Sequence, residues 1–337
     1  MKHGIQINDR RAFLKSMAFF AGAAALAPVL RVLPASAAAN LQQTSEQRML
    51  MGTFVGMTVL TPSATQGQEA IGRAFEDVER LIGIMSRFDS GTALSALNAH
   101  GRLQGAPQEL LHVVDYSRAL HRQSSGRFDI TVGPVVNLLK QSNGKPDAKD
   151  LREALALVDA GRLQQSGSNL SFAASGMSAT LDGVAKGYIA DSAAEALRKH
   201  GVENFMIDAG GDIRVQGSPK GDDRPWRIAI EDPEKQGNYP SVIEMRSGAV
   251  ATSGGYEVFF NSSRTSHHLI NPETGTSPQY IKSVSVQAPT VMQADGLATA
   301  LSLMHPREAL ALVSSLPGHS CLLVTSTGAR IPSPDWA

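Results

Sequence analysis

The sequence predicts an α+β fold in which mixed or antiparallel sheets pack against helices. Apolar residues recur at helical spacing in several segments before residue 204. From Asn204 onward, short β-prone runs separated by Gly and Pro dominate. Since strands and helices do not alternate as βαβ units, a doubly wound fold is disfavoured. The chain also lacks the G-x-G-x-x-G and Walker sequences that bind phosphates in such folds.

Residues 1–37 are predicted to be a twin-arginine signal peptide. Arg10-Arg11 is followed by Phe-Leu-Lys, by an apolar run from Met17 to Leu30, and by the small-residue cleavage site Ala35-Ser36-Ala37. The alternative is a membrane-anchoring helix, which is disfavoured because the apolar run is too short to span a bilayer comfortably. We therefore expect the twin-arginine translocase to export the chain to the periplasm, where it is soluble after signal cleavage.

The charge balance argues against a nucleic-acid-binding protein, and the single cysteine argues against a protein stabilised by internal disulfides. Residues 1–37 carry five Lys or Arg and one Asp, so cleavage would change the net charge from 0 to −4. A chain with this balance has no basic surface for nucleic acid, so no nucleic-acid partner is expected. The only cysteine, Cys321, cannot form an internal disulfide and is expected to be a small core residue.

After the signal, the chain is predicted to contain a leader, a helix-rich part and a strand-rich part. Residues 38–48 are polar and are predicted to be a flexible leader, and Met51 to Leu60 is predicted to be the first strand. Gln68 to Met85 is the clearest helix, because its apolar residues fall on one face. No Pro/Ser-rich linker is visible, so residues 49–330 are predicted to form one domain. Other helices are predicted at 109–122, 150–158, 184–200 and 292–304 and from Pro306 onward. Other strands are predicted at 205–207, 213–215, 226–230, 242–245, 250–251, 258–260, 283–286 and 321–324.

The stretch from His268 to Thr299 combines a proton acceptor with hard oxygen ligands. A histidine can move a proton near neutral pH. Asp295 and Thr299 lie four residues apart on a predicted helix, so they face the same way and can offer two oxygens to one cation. This combination suggests phosphoryl chemistry. Two structural explanations stay open: His268 could be a structural or surface residue, and Asp295 with Thr299 could be ordinary helix residues. The neighbouring His267 also prevents a choice between the two histidines from spacing alone.

A glycine pair flanks the predicted start of another helix. Gly183 and Gly187 stand on either side of Lys186, where free backbone N–H groups and a positive charge can bind an anion. In the alternative interpretation, Asp182 simply caps the helix. Gly187 is unexpected in a first helical turn because glycine destabilises helices.

Three further segments are ambiguous when each is considered alone. Gly210-Gly211 is predicted to form a hairpin turn, which also lets a flat ligand approach the backbone. Residues 127–134 are predicted to be a strand that enters a Gly-Pro turn. Residues 251–256 contain hydroxyls, glycines and a tyrosine that could line a ligand, or they could be a strand that ends in a turn.

Taken in order, nine segments resemble the ApbE family, the FAD:protein FMN transferases. The resemblance covers Met51 to Val324, and it implies an ApbE-like, T-fold-like architecture over residues 49–330. It also implies a Mg²⁺-dependent reaction that splits FAD, releases AMP, and joins FMN by a phosphoester bond to a threonine or serine of an acceptor protein. The matching segments are MGTFV, MSRFDSGTALSALN, GRFDITVGPVVNLL, LDGVAKGYIAD, DAGGDIRVQG, PWRIAIEDP, AVATSGGYE, HHLINPETG and ADGLATAL.

The resemblance also assigns roles to particular residues. It implies that Asp295 and Thr299 hold Mg²⁺ together with a backbone carbonyl near Gly183. It places His268 at the position of the general base that takes the proton of the acceptor hydroxyl. It implies an FAD pocket lined by Met51, Phe88, Arg127, Phe128, Asp129, Lys186, Gly210, Gly211 and Ile270.

Two positions differ from the family pattern. Thr180 stands where many members have Asp, and Asn271 replaces the aspartate of the usual Asp-Pro turn. The Thr-Leu form resembles an exported, NosX-like branch, which implies a NosR-like acceptor; an RnfG- or NqrC-like subunit is the competing choice. Either acceptor is expected to present a D-x-x-T-G-A-T-like motif. Two other functions stay open: a Mg²⁺-dependent FAD pyrophosphatase, and a periplasmic flavin-binding protein without catalysis.

Overall fold

The computed structural model describes residues 41–336 and shows helices packed on antiparallel sheets, as predicted. The strands are β1 (Gln42–Leu50), β2 (Thr53–Thr61), β3 (Arg102–Leu103), β4 (Leu163–Ser166), β5 (Asn169–Phe172), β6 (Asn204–Ala209), β7 (Ile213–Gln216), β8 (Trp226–Ala229), β9 (Val242–Met245), β10 (Ser247–Gly254), β11 (Ile281–Ala288), β12 (Ser320–Thr325) and β13 (Arg330–Pro332). The helices are α1 (Ala64–Met85), α2 (Ala93–His100), α3 (Gln108–Gln123), α4 (Gly133–Gln141), α5 (Ala148–Leu155), α6 (Ala185–Lys199), α7 (Val291–Ser302) and α8 (Pro306–Ser314).

The main sheet has eight strands in the order β1-β2-β6-β7-β10-β11-β12-β13, and each neighbouring pair is antiparallel. Two small sheets, β3-β5-β4 and β8-β9, lie outside it. The large core contains the apolar residues of α1, α6 and α7 together with one face of the main sheet. Helix α7 is buried almost all round, which fits a helix at the centre of this core.

The prediction of a flexible leader over residues 38–48 is wrong from Gln42 onward. Gln42–Leu50 forms β1, whose residues pair with β2 from Gln42↔Thr61 to Leu50↔Thr53. Strand β1 is an edge strand, and most of its side chains are exposed. Backbone hydrogen bonds to β2, rather than buried apolar side chains, hold β1 in place. Its sequence therefore lacks the apolar alternation by which a strand is predicted. The predicted signal peptide at 1–37 and residues 38–40 lie outside the described residues.

Several element boundaries have clear local causes. Helix α1 begins at Ala64, before the predicted start at Gln68, because the Ser63 side chain accepts the N–H of Gln66 at 3.2 Å. Residues 127–134 do not form the predicted strand; instead Pro134 occupies the first turn of α4. The predicted strand at 258–260 reduces to a single bridge between Phe259 and His267.

The described residues, 41–336, belong to one compact unit, which runs past the predicted domain limit at 330. Strand β13 ends at Pro332, and the indole N–H of Trp336 donates to the hydroxyl of Ser241 at 3.1 Å. Among the residues that the structure describes, no helix has both the length and the apolar character needed to cross a bilayer.

Candidate active site

One cavity of about 1120 Å³ brings together all thirteen residues that sequence assigns to the base, the cation site and the FAD pocket. Its walls come from the β1–β2 and β6–β7 turns, the segment before α6, strand β10, helix α7, and residues 257–272. These segments are far apart in sequence, so the sheet and the α6–α7 pair are what bring them to one place. The roles of the individual residues remain predictions.

Asp295 and Thr299 face the cavity from α7, beside the turn at Gly183. A β-carbon at Gly183 would lie 2.9 Å from the Thr299 hydroxyl oxygen, so the backbone at Gly183 passes very close to that hydroxyl. Ser253 Oγ lies 3.3 Å from Thr299 Oγ1. Gly187 donates its backbone N–H to Asp295 Oδ2 at 3.0 Å. Burial raises the pKa of Asp295, and Lys186 and that N–H oppose the rise.

This set of oxygens fits a hard divalent cation. Across residues 41–336, no cluster of three or more His, Cys, Asp or Glu could hold a metal ion. A cation here would therefore have one carboxylate, from Asp295, and neutral oxygens from Thr299 and the backbone near Gly183. Within the same residues, Asp295 Oδ1 accepts no hydrogen bond. Mg²⁺ prefers oxygen ligands and keeps water or phosphate oxygens in its remaining positions, so these residues suit it.

Lys186 places a cationic side chain close enough to interact electrostatically with Asp295. Its ammonium group forms an ion pair with Asp212, a buried residue after the Gly210-Gly211 turn. Burial lowers the pKa of Lys186, and the carboxylates of Asp295, Asp208 and Glu257 oppose that effect. The ammonium group is therefore held within a group of carboxylates at the cavity wall.

The N-cap residue of α6 contributes no side-chain cap. Val184 is the N-cap residue and makes no side-chain hydrogen bond to the helix. The alternative in which Asp182 caps the helix is wrong, because its carboxylate pairs with Arg87 Nε at 2.8 Å. In the first turn of α6, Ala185 donates its N–H to the carbonyl of Leu181 at 2.8 Å, and Gly187 donates its N–H to Asp295. Within the described residues, the N–H of Lys186 is the one in this turn left for an anion at the positive end of the helix dipole.

The two adjacent histidines have different environments. His268 lines the cavity, and its Nδ1 lies 3.3 Å from the carbonyl oxygen of Val258. A carbonyl can only accept, so this contact requires the Nδ1–H tautomer and leaves Nε2 as the proton acceptor. His267 is buried away from the cavity, with Nε2 3.1 Å from the carbonyl of Pro278. His268 is therefore the histidine that can act on a bound molecule.

Burial also sets the protonation state of His268. It lowers the pKa of this histidine, while the Val258 carbonyl and the carboxylates of Glu257 and Asp182 oppose the decrease. Since the ordinary pKa of histidine is about 6.5, the imidazole is neutral at neutral pH. A neutral imidazole is a usable base.

Two tight turns form another wall of the cavity. Met51-Gly52 closes the β1–β2 hairpin, with φ of 53° and 75°, and Gly210-Gly211 closes the β6–β7 hairpin, with φ of 68° and 94°. The predicted hairpin turn at Gly210-Gly211 is confirmed. The turns are neighbours because β2 pairs with β6. Met51 has a left-handed backbone conformation, which costs an L-residue about 1–2 kcal/mol. Backbone strain of this kind is common at functional sites, and Met51 lines the cavity.

The predicted aromatic and charged pocket residues lie at different depths. Phe88 is 72% exposed at the cavity rim, where the Arg87 guanidinium carbon lies 4.5 Å from its ring centre. Phe128 is buried beneath the cavity surface. Arg127 forms an ion pair with Glu273 at 3.1 Å. Of these side chains, only Phe88 presents a large exposed aromatic face to a ligand.

Asp129 lines the cavity, but its carboxylate is engaged in the fold. Oδ1 accepts the N–H of Thr131 at 2.7 Å, and Oδ2 accepts the N–H of Ala160 at 2.9 Å. His121 Nδ1 lies 3.3 Å from Oδ2. These contacts show that Asp129 holds the loop before α4 in place.

The two positions that depart from the family pattern keep their local turns. Asn271 Oδ1 accepts the N–H of Glu273 at 2.8 Å, so asparagine preserves the turn that an aspartate would form. Thr180 Oγ1 accepts the N–H of Asp182 at 3.2 Å at the cavity wall. Sequence reasoning did not single out Arg87 or Glu257, which also line the cavity, although both lie within segments that resemble the family.

Comparison with known proteins agrees with this geometry. Residues 51–323 match the ApbE family. An FAD:protein FMN transferase of Vibrio cholerae serotype O1 (strain ATCC 39541 / Classical Ogawa 395 / O395) is 31% identical over 292 residues, which cover 82% of this chain and 87% of that protein. One of Haemophilus influenzae (strain ATCC 51907 / DSM 11121 / KW20 / Rd) is 30% identical over 309 residues, covering 84% and 88%.

Solved structures share the whole fold. The flavin transferase ApbE from Vibrio cholerae superposes with a TM-score of 0.75 at 28% identity, covering 87% of this chain and 98% of that one. The ApbE protein from Thermotoga maritima superposes with a TM-score of 0.79, also at 28% identity, covering 87% and 97%. The predicted α+β, ApbE-like architecture is thereby confirmed.

Proposed function

The chain belongs to the ApbE family, and from this premise we propose that it is an FAD:protein FMN transferase that cleaves FAD and joins FMN to an acceptor protein. One observation carries the proposal: His268, the Asp295–Thr299 pair and Lys186 all face one cavity. Its volume of about 1120 Å³ is slightly above the range of roughly 300–1,000 Å³ for small-molecule pockets. It can therefore receive a dinucleotide together with the side chain of an acceptor.

The proposed reaction is an in-line displacement at the FMN-side phosphorus of FAD. The acceptor hydroxyl oxygen forms a new P–O bond, and the bond from that phosphorus to the bridging oxygen breaks. AMP leaves with the bridging oxygen and its electron pair. Nε2 of His268 takes the hydroxyl proton, which its neutral state and the hydrogen-bonded Nδ1–H permit. The product is a phosphoester between FMN and a threonine or serine.

The remaining residues bind and orient the pyrophosphate. Mg²⁺ held by Asp295, Thr299 and the backbone near Gly183 would offset negative charge on the pyrophosphate oxygens. Lys186 is fixed by its ion pair with Asp212 and contributes a second positive charge. The backbone N–H of Lys186, in the first turn of α6, can also bind an anion. Charge stabilisation and positioning are the main sources of catalysis in phosphoryl transfer.

The proposal extends to the cellular location of the protein and to the identity of its acceptor. The twin-arginine pattern in residues 1–37 supports export to the periplasm. The acceptor would then be a periplasm-facing electron-transfer flavoprotein that is NosR-like or RnfG/NqrC-like and carries a D-x-x-T-G-A-T-like motif. The Thr180-Leu181 form supports the NosR-like choice.

Incubation of the purified protein with FAD, MgCl₂ and each candidate acceptor tests this function. Mass spectrometry of the intact acceptor should show one added FMN, and an acceptor whose target threonine is replaced by valine should show none. A parallel reaction without acceptor measures release of free FMN, and steady release there would favour the pyrophosphatase. If FAD binds but no acceptor gains FMN and no FMN is released, the transferase proposal fails and a non-catalytic flavin-binding role is favoured.

A further inference from the structure

The carboxylate of Asp191 on α6 ties down the first turn of α7. Oδ1 accepts the N–H of Val291 and Oδ2 accepts the N–H of Met292, each at 2.9 Å. These are the first two residues of α7, and their N–H groups have no partner inside the helix. Thr290 caps the helix separately, because its hydroxyl accepts the N–H of Gln293 at 3.3 Å. Two of the three satisfied N–H groups are therefore held by another helix.

Two neighbouring contacts strengthen this connection. Arg214 of β7 donates to the carbonyl of Pro289, and its Nε lies 3.9 Å from Asp191 Oδ1. Gly187 lies one turn before Asp191 on α6, and it donates its N–H to Asp295 Oδ2 at 3.0 Å. Helices α6 and α7 are thus joined at two consecutive turns. The first contact involves the cation-site carboxylate itself, and the second fixes the end of the helix that carries it.

We propose that Asp191 is a positioning residue for the cation site formed by Asp295 and Thr299, an inference that rests on the proposed function. Asp191 does not line the cavity, so it acts through α7. Asp295 and Thr299 follow Val291 by four and eight residues, which is about 6 and 12 Å along a helix. A shift or rotation of the first turn would therefore move both oxygens relative to Gly183 and Lys186, which belong to the other side of the site.

An aspartate fits this role better than the isosteric asparagine. Burial raises the pKa of Asp191, and the two N–H groups and Arg214 oppose the rise. A carboxylate accepts at both oxygens, whereas an asparagine side chain would turn its own NH₂ group toward one of the two N–H donors. Asp191→Asn therefore leaves one N–H of α7 facing another donor. We expect the first turn to move, and metal affinity to fall roughly 10- to 100-fold, as is usual when a group that orients a ligand is lost.

Mn²⁺ binding to the full chain in the absence of FAD tests this role. Mn²⁺ takes the same hard oxygen ligands as Mg²⁺, and its free concentration is read directly from the electron paramagnetic resonance signal. The matched control is Thr290→Ala, which removes the α7 cap, worth about 0.5–2 kcal/mol, but keeps the α6–α7 connection. We expect weaker Mn²⁺ binding in Asp191→Asn and nearly wild-type binding in Thr290→Ala, although both variants unfold at lower temperature.

The outcomes separate this inference from the proposed function. Equal Mn²⁺ affinity in wild type and Asp191→Asn would overturn it, and so would parallel losses in Asp191→Asn and Thr290→Ala that follow their melting temperatures. If Asp191→Asn does not fold, Arg214→Met serves instead and should weaken Mn²⁺ binding in the same direction. A wild-type protein that binds no Mn²⁺ would refute the cation site and the inference together. Wild-type Mn²⁺ binding without FMN transfer would refute the transferase function alone.

Discussion

Gly187 donates its backbone N–H to Asp295 Oδ2 at a helix crossing that has no space for a side chain. A β-carbon at position 187 would lie 2.6 Å from the carbonyl oxygen of Val291 and 2.8 Å from the Cα of Met292. Glycine therefore lets α6 and α7 approach closely enough for a backbone N–H to reach a buried carboxylate. Glycine lowers the stability of a helix, but at this position its lack of a side chain lets α6 approach α7 and so shapes the candidate cation site.

Gly187→Ala is expected to destabilise the protein and to displace Asp295. The atoms in its way are backbone atoms, which move only if the helix moves, and such overpacking typically costs about 1–3 kcal/mol. Urea denaturation measures the loss. Gly83→Ala in α1 is the matched control, because nothing lies within 4 Å of its β-carbon, and a gain of up to about 1 kcal/mol is expected. An unchanged urea midpoint for Gly187→Ala would contradict the close crossing.

Asp295→Ala should reduce turnover more than any other single substitution in the cavity. Without this carboxylate, the predicted Mg²⁺ site loses its only charged ligand, and several kcal/mol of transition-state stabilisation should be lost. Asp182→Ala is the comparison, since this carboxylate also lines the cavity but is half-exposed and paired with Arg87. FMN transfer is measured for both under saturating Mg²⁺. Near-normal turnover in Asp295→Ala would reject the metal assignment.

The order and type of most elements could be predicted because they depend on local signals. The apolar face of α1 and the Gly210-Gly211 turn are examples, since periodicity and turn chemistry mark them directly. Strand β1 could not be predicted, because an exposed edge strand is held by its partner's backbone. Residues 258–260 are apolar and β-prone, yet only Phe259 pairs, and Val258 is instead 52% exposed.

The candidate site shows a similar division. The family resemblance located the thirteen residues that share the cavity, although most of the segments are unremarkable alone. The contact of Gly187 with Asp295 and the contact of Asp191 with α7 are tertiary, so no local pattern predicts them. One sequence signal was present: Gly187 and Asp191 are four residues apart and therefore share a helix face.

His268→Ala should slow FMN transfer by roughly 10²- to 10⁴-fold, the usual contribution of a positioned general base. FAD binding should be much less affected, because His268 is proposed to take the proton of the acceptor protein's hydroxyl and not to bind FAD. His267→Ala is the comparison, since His267 is buried off the cavity and contacts Pro278. That variant should lose mainly stability. A larger loss of transfer rate in His267→Ala, at equal folded fraction, would show that the wrong histidine was assigned.

The pH dependence of transfer should follow the lowered pKa of His268. The base must be neutral, and burial lowers its pKa below the ordinary value of about 6.5, so activity should decline only as pH falls below that value. Glu257 opposes this decrease by favouring the protonated imidazole. Glu257→Gln should therefore lower the pKa further and move the acidic limb of the kcat/KM profile to lower pH. A shift to higher pH would contradict the placement of Glu257 beside His268.

Phe88→Ala should weaken FAD binding without weakening the fold. The ring is 72% exposed, so its removal should change the free energy of unfolding by less than about 0.5 kcal/mol. At the cavity rim it can stack on an aromatic part of FAD, a contact worth about 0.5–1.5 kcal/mol. Titration of FAD, followed by quenching of flavin fluorescence, gives the affinity. Tyr239→Ala is the matched control, because this aromatic is 55% exposed but does not line the cavity. Equal FAD affinity in wild type and both variants would show that the exposed face of Phe88 serves something other than the flavin nucleotide.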